Sequence, residues 1–405
     1  MSLGSTIFLA ASLFAAGPVG TVDLTADVRS ETRLRSIDED DGELVRGRDR
    51  ELVELGIQPR LMLRNDARLR LALTYAPSLR VPYESLREEP SPDDAAFADD
   101  RTTFQHNATL TAERAISHWT LRGGASATYG FYDPLDREQA QARGQPLLSS
   151  SRLPFQAYAL TAGFTTLAWL RTTLSVDAIA STGGGDGPMA RASLPTQDEL
   201  RLTSALDHEA NRRDRYGALL NLTRTQIEGG DNASTLDAGG RWSRTLTPTQ
   251  ELRLSGGVSV AMVETEADSH ERAGPWAEGA WTYLPAPHLP SLRMAVGGAP
   301  SVDRLSGSLS YRAYAEGRAG WAPLRDWTFE LAAGGALLEP WLGFEDQEVS
   351  STWMGTAGAR VGWELTPRLS VGGGLAALWQ DSGRADLVSF REFVATVDLV
   401  ATLLR

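Results

Sequence analysis

Few side chains in this sequence could do covalent chemistry. There are five His, no Cys, and 52 Asp plus Glu, so a hydrolytic site would need His, a carboxylate and a Ser or Thr brought to one face. Asp207 and His208 are adjacent, and adjacent residues of a strand point to opposite sides. His118 and Thr120 share a face, but no Asp is placed to orient the imidazole. His106, His270 and His288 lack metal-ligand spacing. The absence of Cys removes thiolate zinc, iron–sulfur clusters, disulfides and thiol catalysis. Carboxylates crowd two segments, Asp38 to Asp49 and Glu84 to Asp100. Oxygen ligands suit Ca²⁺, but EF-hand spacing is missing and a solvated charge run is the plainer reading. The Gly-rich stretch Ser181 to Pro188 lacks the Gly-Lys of a phosphate loop. The expectation is a protein with no catalytic set, no metal and no cofactor, and therefore not an enzyme.

The remaining polar signal is charge at alternate positions of apolar segments. If one face of each segment lines a water-filled space, that face carries Arg60, Arg70, Arg122, Arg171, Arg201, Arg253, Arg293, Arg312 and Arg360 with Asp177. Arg29, Arg64, Arg241, Asp23, Asp27, Glu113, Asp207, Asp237, Glu364 and Asp398 extend the set. The lining is thus mixed in sign and rich in Arg, and all 39 basic residues of the chain are Arg. The net charge is −13 and no basic tract occurs, which argues against a nucleic-acid partner, because phosphate neutralisation needs clustered cations.

Such a lining needs long strands to carry it. Leu69, Leu71, Leu73, Tyr75 and Leu79 alternate with Arg70, Ala72, Thr74 and Ala76. Leu252, Leu254, Val258, Val260 and Met262 alternate with Arg253, Ser255, Ser259 and Ala261. Trp119, Leu121, Ala125, Ala127, Tyr129 and Phe131 stand opposite Thr120, Arg122, Ser126 and Thr128. Runs of 10 to 13 residues exceed the usual soluble strand of about 5 or 6 and match the roughly 9 to 11 needed to cross a bilayer at a tilt. About eighteen such segments follow one another between residues 21 and 404. Their connections mostly alternate long (36–49, 80–101, 133–152, 181–198, 339–350) and short (65–67, 114–117, 211–214, 247–249, 365–367). No apolar run reaches the roughly 18 residues of a membrane-spanning helix.

Three segments repeat a strand, a Trp, a Pro turn and a second strand: Trp242 before Pro248, Trp321 before Pro323, and Trp363 before Pro367. An indole at a membrane–water boundary keeps its ring in lipid and its N–H in water. Tyr75, Trp119, Tyr129, Trp242, Trp353, Trp363 and Trp379 are the expected members of two aromatic girdles. Thr6 to Gly17 is a short apolar run of secretory type, so residues 1–20 are expected to be a signal peptide and 21–405 the mature domain.

With alternation, girdles and turn asymmetry combined, the chain after residue 20 resembles the porin-like outer-membrane β-barrels of Gram-negative bacteria. The resemblance implies an all-β fold, a transmembrane antiparallel up-and-down barrel of about 18 strands, with short periplasmic turns and long extracellular loops. It implies outer-membrane lipid, lipopolysaccharide and the barrel-assembly machinery as partners. One departure is the final strand, which ends on Leu403, Leu404 and Arg405 where such barrels commonly end on an aromatic residue. The barrels that accompany polysaccharide export are similar in size, which implies an exit channel fed by a periplasmic export protein. A general diffusion porin, constricted by 80–101, 133–152 or 181–198, is the alternative. A plugged structural or adhesive barrel is a second.

Overall fold

Alternating side chains cannot settle on one side of a helix, but they sort cleanly onto the two faces of a strand. The computed structural model describes residues 21–38, 44–46, 50–66, 69–83, 103–132, 153–187, 190–191, 195–264, 269–286, 288–302, 309–342, 351–382 and 389–404. Within them nineteen strands form one antiparallel sheet. Eighteen are long: β1 (Thr21–Asp38), β3 (Arg50–Asp66), β4 (Leu69–Tyr83), β5 (Thr103–Ile116), β6 (Trp119–Tyr132), β7 (Leu153–Trp169), β8 (Thr172–Gly185), β9 (Gln197–Glu209), β10 (Asp214–Ile227), β11 (Asn232–Thr247), β12 (Gln250–Glu264), β13 (Ser269–Tyr283), β14 (Ser291–Val302), β15 (Leu309–Trp321), β16 (Trp327–Leu342), β17 (Thr352–Thr366), β18 (Leu369–Ser382) and β19 (Ser389–Leu404). The nineteenth, β2 (Leu44–Arg46), is a three-residue extension paired with the end of β1. Each long strand pairs with its chain neighbour, and β19 pairs with β1 from Leu24↔Leu404 to Asp38↔Ser389. The ladder therefore closes into a barrel. Among the described residues no helix is long and apolar enough to cross a membrane.

The connections divide by end. On the side where β1 begins and β19 ends, the turns are 67–68, 117–118, 170–171, 210–213, 248–249, 284–290, 322–326 and 367–368. The opposite side carries the longest connections, including 84–102 and 133–152, together with short ones such as 228–231. Four of the short turns are entered through a one-residue register shift, at Arg64/Asp66, Leu167/Trp169, Thr245/Thr247 and Glu364/Thr366. Such a bulge turns the strand over before the hairpin closes. After the bulge at Leu167/Trp169, β8 begins only at Thr172, and Trp321 ends β15 two residues before Pro323, in the strand, Trp and Pro-turn order expected of that segment. The segment expected to be a signal peptide and most of the acidic connections lie outside the described residues.

Candidate functional site

The barrel has two faces, and their chemistry fixes what each can contact. Outward stand Leu160, Leu200, Leu220, Val258, Val296, Leu331, Leu375, Val397 and Leu403, all well exposed. Large apolar side chains in this number, ringing a closed ladder, suit hydrocarbon and not water. Aromatic residues border them. Trp353 and Trp363 lie ten residues apart on β17, and Trp119 and Tyr129 ten apart on β6. At about 3.4 Å per residue and about 40° of tilt, that spacing is about 26 Å of height, the thickness of an outer-membrane apolar band. At the short-turn rim the rings touch: Trp119 and Phe164 at 5.2 Å, Trp321 and Phe329 at 5.7 Å, Trp327 and Trp363 at 5.3 Å. Their polar edges are satisfied, since Trp321 Nε1 donates to His288 O at 3.0 Å and Trp242 Nε1 to Asp214 Oδ1 at 3.2 Å. Trp379 lies at the opposite rim, exposed beside Gly355. The chain is a transmembrane β-barrel of the outer-membrane type.

Two aromatic placements differ from expectation. Tyr75 lies midway along β4, not at a rim. A phenol at that depth needs a partner, and His106 supplies it, stacked at 6.1 Å with Oη and Nδ1 2.8 Å apart. Trp327 and Phe329, absent from the expected girdle, are part of it.

The inward face is polar, and its charges pair. Arg122 of β6 donates through Nη2 to Asp177 Oδ1 of β8 at 3.0 Å and to Thr165 Oγ1 at 3.0 Å. Arg241 of β11 bonds through Nε and Nη2 to Asp207 of β9. Arg360 of β17 donates to Asp398 of β19 at 2.6 Å. Arg201 and Arg253 pair along their own strands with Glu199 at 2.8 Å and Glu251 at 2.9 Å. Thr203, Asn221 and Asp237 continue the network, with 3.0 Å between successive partners. Arg70 stands opposite Glu113, and Arg293 stands opposite Arg318. Neither Arg293 nor Arg318 has a carboxylate partner among the described residues, and both are exposed. Arg312 lies with its guanidinium 5.3 Å from the Tyr314 ring centroid. The wall is therefore wetted, mixed in sign, and largely neutralised pair by pair.

One expected lining residue is elsewhere. Arg171 sits in the two-residue turn between β7 and β8 with φ of 63°, and its carbonyl accepts the Glu209 amide at 2.9 Å. Through the bulge at Leu167/Trp169 β7 runs on to Trp169 and β8 begins only at Thr172, which leaves Arg171 in the turn and off the wall. Arg60 lies in β3 opposite Asp23 and Thr74, and its side chain is outside the described residues. The two adjacent residues weighed for catalysis diverge: Asp207 is held by Arg241 inside, while His208 Nδ1 lies 2.9 Å from Thr172 Oγ1 outside. Among the described residues no three His, Asp or Glu gather as a metal site.

The long-loop half of the lumen holds a feature that alternation does not reveal. β13 and β14 pair only from Ala277↔Gly298 to Tyr283↔Leu292, so Ser269–Trp276 and Ala299–Val302 part company. The freed ends of β14, β15 and β16 turn inward. Leu309, at 0% exposure, packs on Ala233, Ala261 and Val263 from the inner faces of β11 and β12, with Val302 and Trp341 against the cluster. Tyr311 donates to Pro275 O at 3.1 Å. Arg272 of β13 donates to Trp341 O and lies 5.5 Å from its ring centroid. The wall is doubled here, and the doubling takes space from the lumen. Pro275, Pro300 and Pro340 all fall in this region, where missing N–H donors are tolerable only because the ladder is broken.

No protein-family model matches the sequence, and no curated protein matches it. Solved structures resemble it in shape. Pseudomonas aeruginosa OpdK with vanillate is 12% identical over 94% of this chain and 98% of its own, with a TM-score of 0.47. Pseudomonas aeruginosa OccK2 (OpdF) in complex with glucuronate is 12% identical over 95% and 98%, at 0.48. Acinetobacter baumannii OccAB3 is 10% identical over 94% and 99%, at 0.49.

Proposed function

We propose that the barrel is a passive diffusion pore for small polar solutes in the outer membrane of a Gram-negative bacterium. The observation that carries this is the inward fold of β14–β16 on a wetted, charge-paired wall. Eighteen strands enclose a lumen wide enough for water, and Leu309 and Trp341 narrow its long-loop half. A narrowed, polar passage sorts small solutes by size and charge. A polymer thread, as the expected polysaccharide exit requires, gains nothing from such an inward fold. Among the described residues no nucleophile, base and orienter share one face, which accords with a conduit without chemistry. Membrane lipid and lipopolysaccharide on the outer face, and the assembly machinery during insertion, are the partners this reading requires.

The purified protein in a planar bilayer should conduct ions, and in liposomes it should admit small sugars faster than large ones. Trp341→Ala removes the ring that Arg272 and Leu309 hold inward, so single-channel conductance should rise and the size limit relax. A barrel that never conducts would refute the pore in favour of a plugged structural role. A deletion strain that loses surface polysaccharide while small-solute uptake is unchanged would return the case to polymer exit.

A further inference from the structure

Three inner-wall ion pairs share one construction. Each joins strands n and n+2 and passes over a glycine on the strand between. Arg122 of β6 and Asp177 of β8 both lie opposite Gly163 of β7. Asp207 of β9 and Arg241 of β11 both lie opposite Gly217 of β10. Arg360 of β17 reaches Asp398 of β19 across β18, where Gly372 faces Asp398 and Gly374 faces Arg360. Two strand spacings separate the partners by about 9.6 Å. An Arg and an Asp side chain together cover that distance only when both lie flat along the wall, and a flat path exists only where the middle residue has no side chain.

The space is measurable. A Cβ at Gly217 would lie 2.5 Å from Asp207 Oδ1, 2.9 Å from Arg241 Cγ and 2.8 Å from the Leu206 carbonyl. At Gly163 it would overlap Asp177 Oδ1 and lie 3.0 Å from the Val176 carbonyl. At Gly372 there is more room, 3.3 Å to Asp398 Oδ2 and 3.8 Å to Arg360 Nε. Gly240, on the outward face of β11, is open by contrast: the nearest atom to a Cβ there is the Gly217 carbonyl, at 3.8 Å.

We propose that Gly163, Gly217 and Gly372 are positioning residues for the pore's ionic selectivity, holding Arg122, Arg241 and Arg360 flat and neutralised against the wall. This rests on the diffusion-pore reading. With the glycine present, each pair presents little net field to a passing ion. With a side chain in its place the pair opens. The short Asp stays at the wall while the long Arg turns into the lumen, where a cation in a channel of low-dielectric walls draws anions.

The test is reversal potential and single-channel conductance in a KCl gradient, with wild type, Gly217→Ala, Asp207→Asn, Arg241→Gln and the double variant Gly217→Ala/Arg241→Gln. Gly217→Ala should shift the chloride-to-potassium permeability ratio toward chloride by about twofold or more, matching Asp207→Asn, with a smaller conductance. In the Arg241→Gln background Gly217→Ala should shift nothing. Gly240→Ala is the control on the outer face and should match wild type. If Gly217→Ala does not fold, Gly372→Ser has room to fold, and its hydroxyl should compete with Arg360 for Asp398 and shift selectivity the same way. A conducting wild type whose ratio is unchanged in the variant that folds, or a shift that persists without Arg241, overturns the proposal. A wild type that does not conduct refutes the pore reading itself and takes this proposal with it.

Discussion

A charge placed on the outward face of β12 should cost stability according to its depth. Leu254 pairs with the girdle residue Trp242, so it lies near the short-turn rim. Val258 is four residues further along, 54% exposed, between Ala238 and Pro275. Four residues at about 3.4 Å give about 13 Å of strand, and at about 40° of tilt about 10 Å of depth. Half of an apolar band about 25 Å tall is about 12 Å, so Val258 sits close to the midplane and Val258→Arg should cost about 2 to 4 kcal/mol. Leu254→Arg keeps its guanidinium within reach of the interface and should cost about 0 to 1 kcal/mol. Ser255→Arg, on the inner face, meets water and should stay within about 0.5 kcal/mol. The assay is denaturant unfolding of the barrel in lipid vesicles, followed by Trp fluorescence. Equal costs at 254 and 258 would refute the depth assignment. A larger cost at 255 than at 258 would reverse the assignment of faces for the whole strand.

Because β19 closes the ladder on β1, every strand is held on both sides. The folded protein should therefore migrate differently on a detergent gel before and after boiling, and unchanged mobility would be incompatible with a closed barrel. Trp321→Phe keeps the ring on Phe329 but loses the 3.0 Å bond to His288 O. It should lower unfolding stability by about 0.5 to 1.5 kcal/mol, and a loss equal to that of Trp321→Ala would show that the hydrogen bond carries all of the effect. Asp231, in the 228–231 turn outside the membrane, has its carboxyl held above the usual range because burial outweighs the nearby His270. An acid whose folded-state pKa is raised favours the folded state below its ordinary pKa and loses that advantage as pH rises through the shifted value. Asp231→Asn should therefore stabilise the barrel at neutral pH and leave it unchanged in strong acid. A stabilisation that is greatest in acid would contradict this sign.

What alternation can carry, the sequence carried well. Period two places Arg122, Arg201, Arg253 and Arg360 on one face and Leu121, Leu202, Leu254 and Ala359 on the other, because a strand has only two faces and a lipid-facing charge is costly. It fails where the period breaks. The turn at Leu170 and Arg171 has neither Gly, Asn nor Pro, although φ of 63° at Arg171 is a conformation those signals usually mark. Without such a signal, Arg171 continues the apparent alternation of Thr173, Ser175 and Asp177, and its place off the wall is invisible.

The inward fold left a different trace. Pro275, Pro300 and Pro340 each interrupt a segment that otherwise reads as strand, and a proline inside a strand points to a broken ladder. That could have been noticed, but not what the broken ends would pack upon, since Leu309 meets Ala233 and Ala261 only after several intervening strands are in place. The same limit applies with more force to the glycines. In a barrel rich in glycine, nothing local distinguishes Gly217 from Gly240. Their difference appears only when three strands are in register, with Asp207 on one side of Gly217 and Arg241 on the other. Alternation decides which residues reach the lumen. Register between strands decides whether a charge that reaches it is met by its partner or by the passing ion, and in this barrel that register is expressed through residues with no side chain.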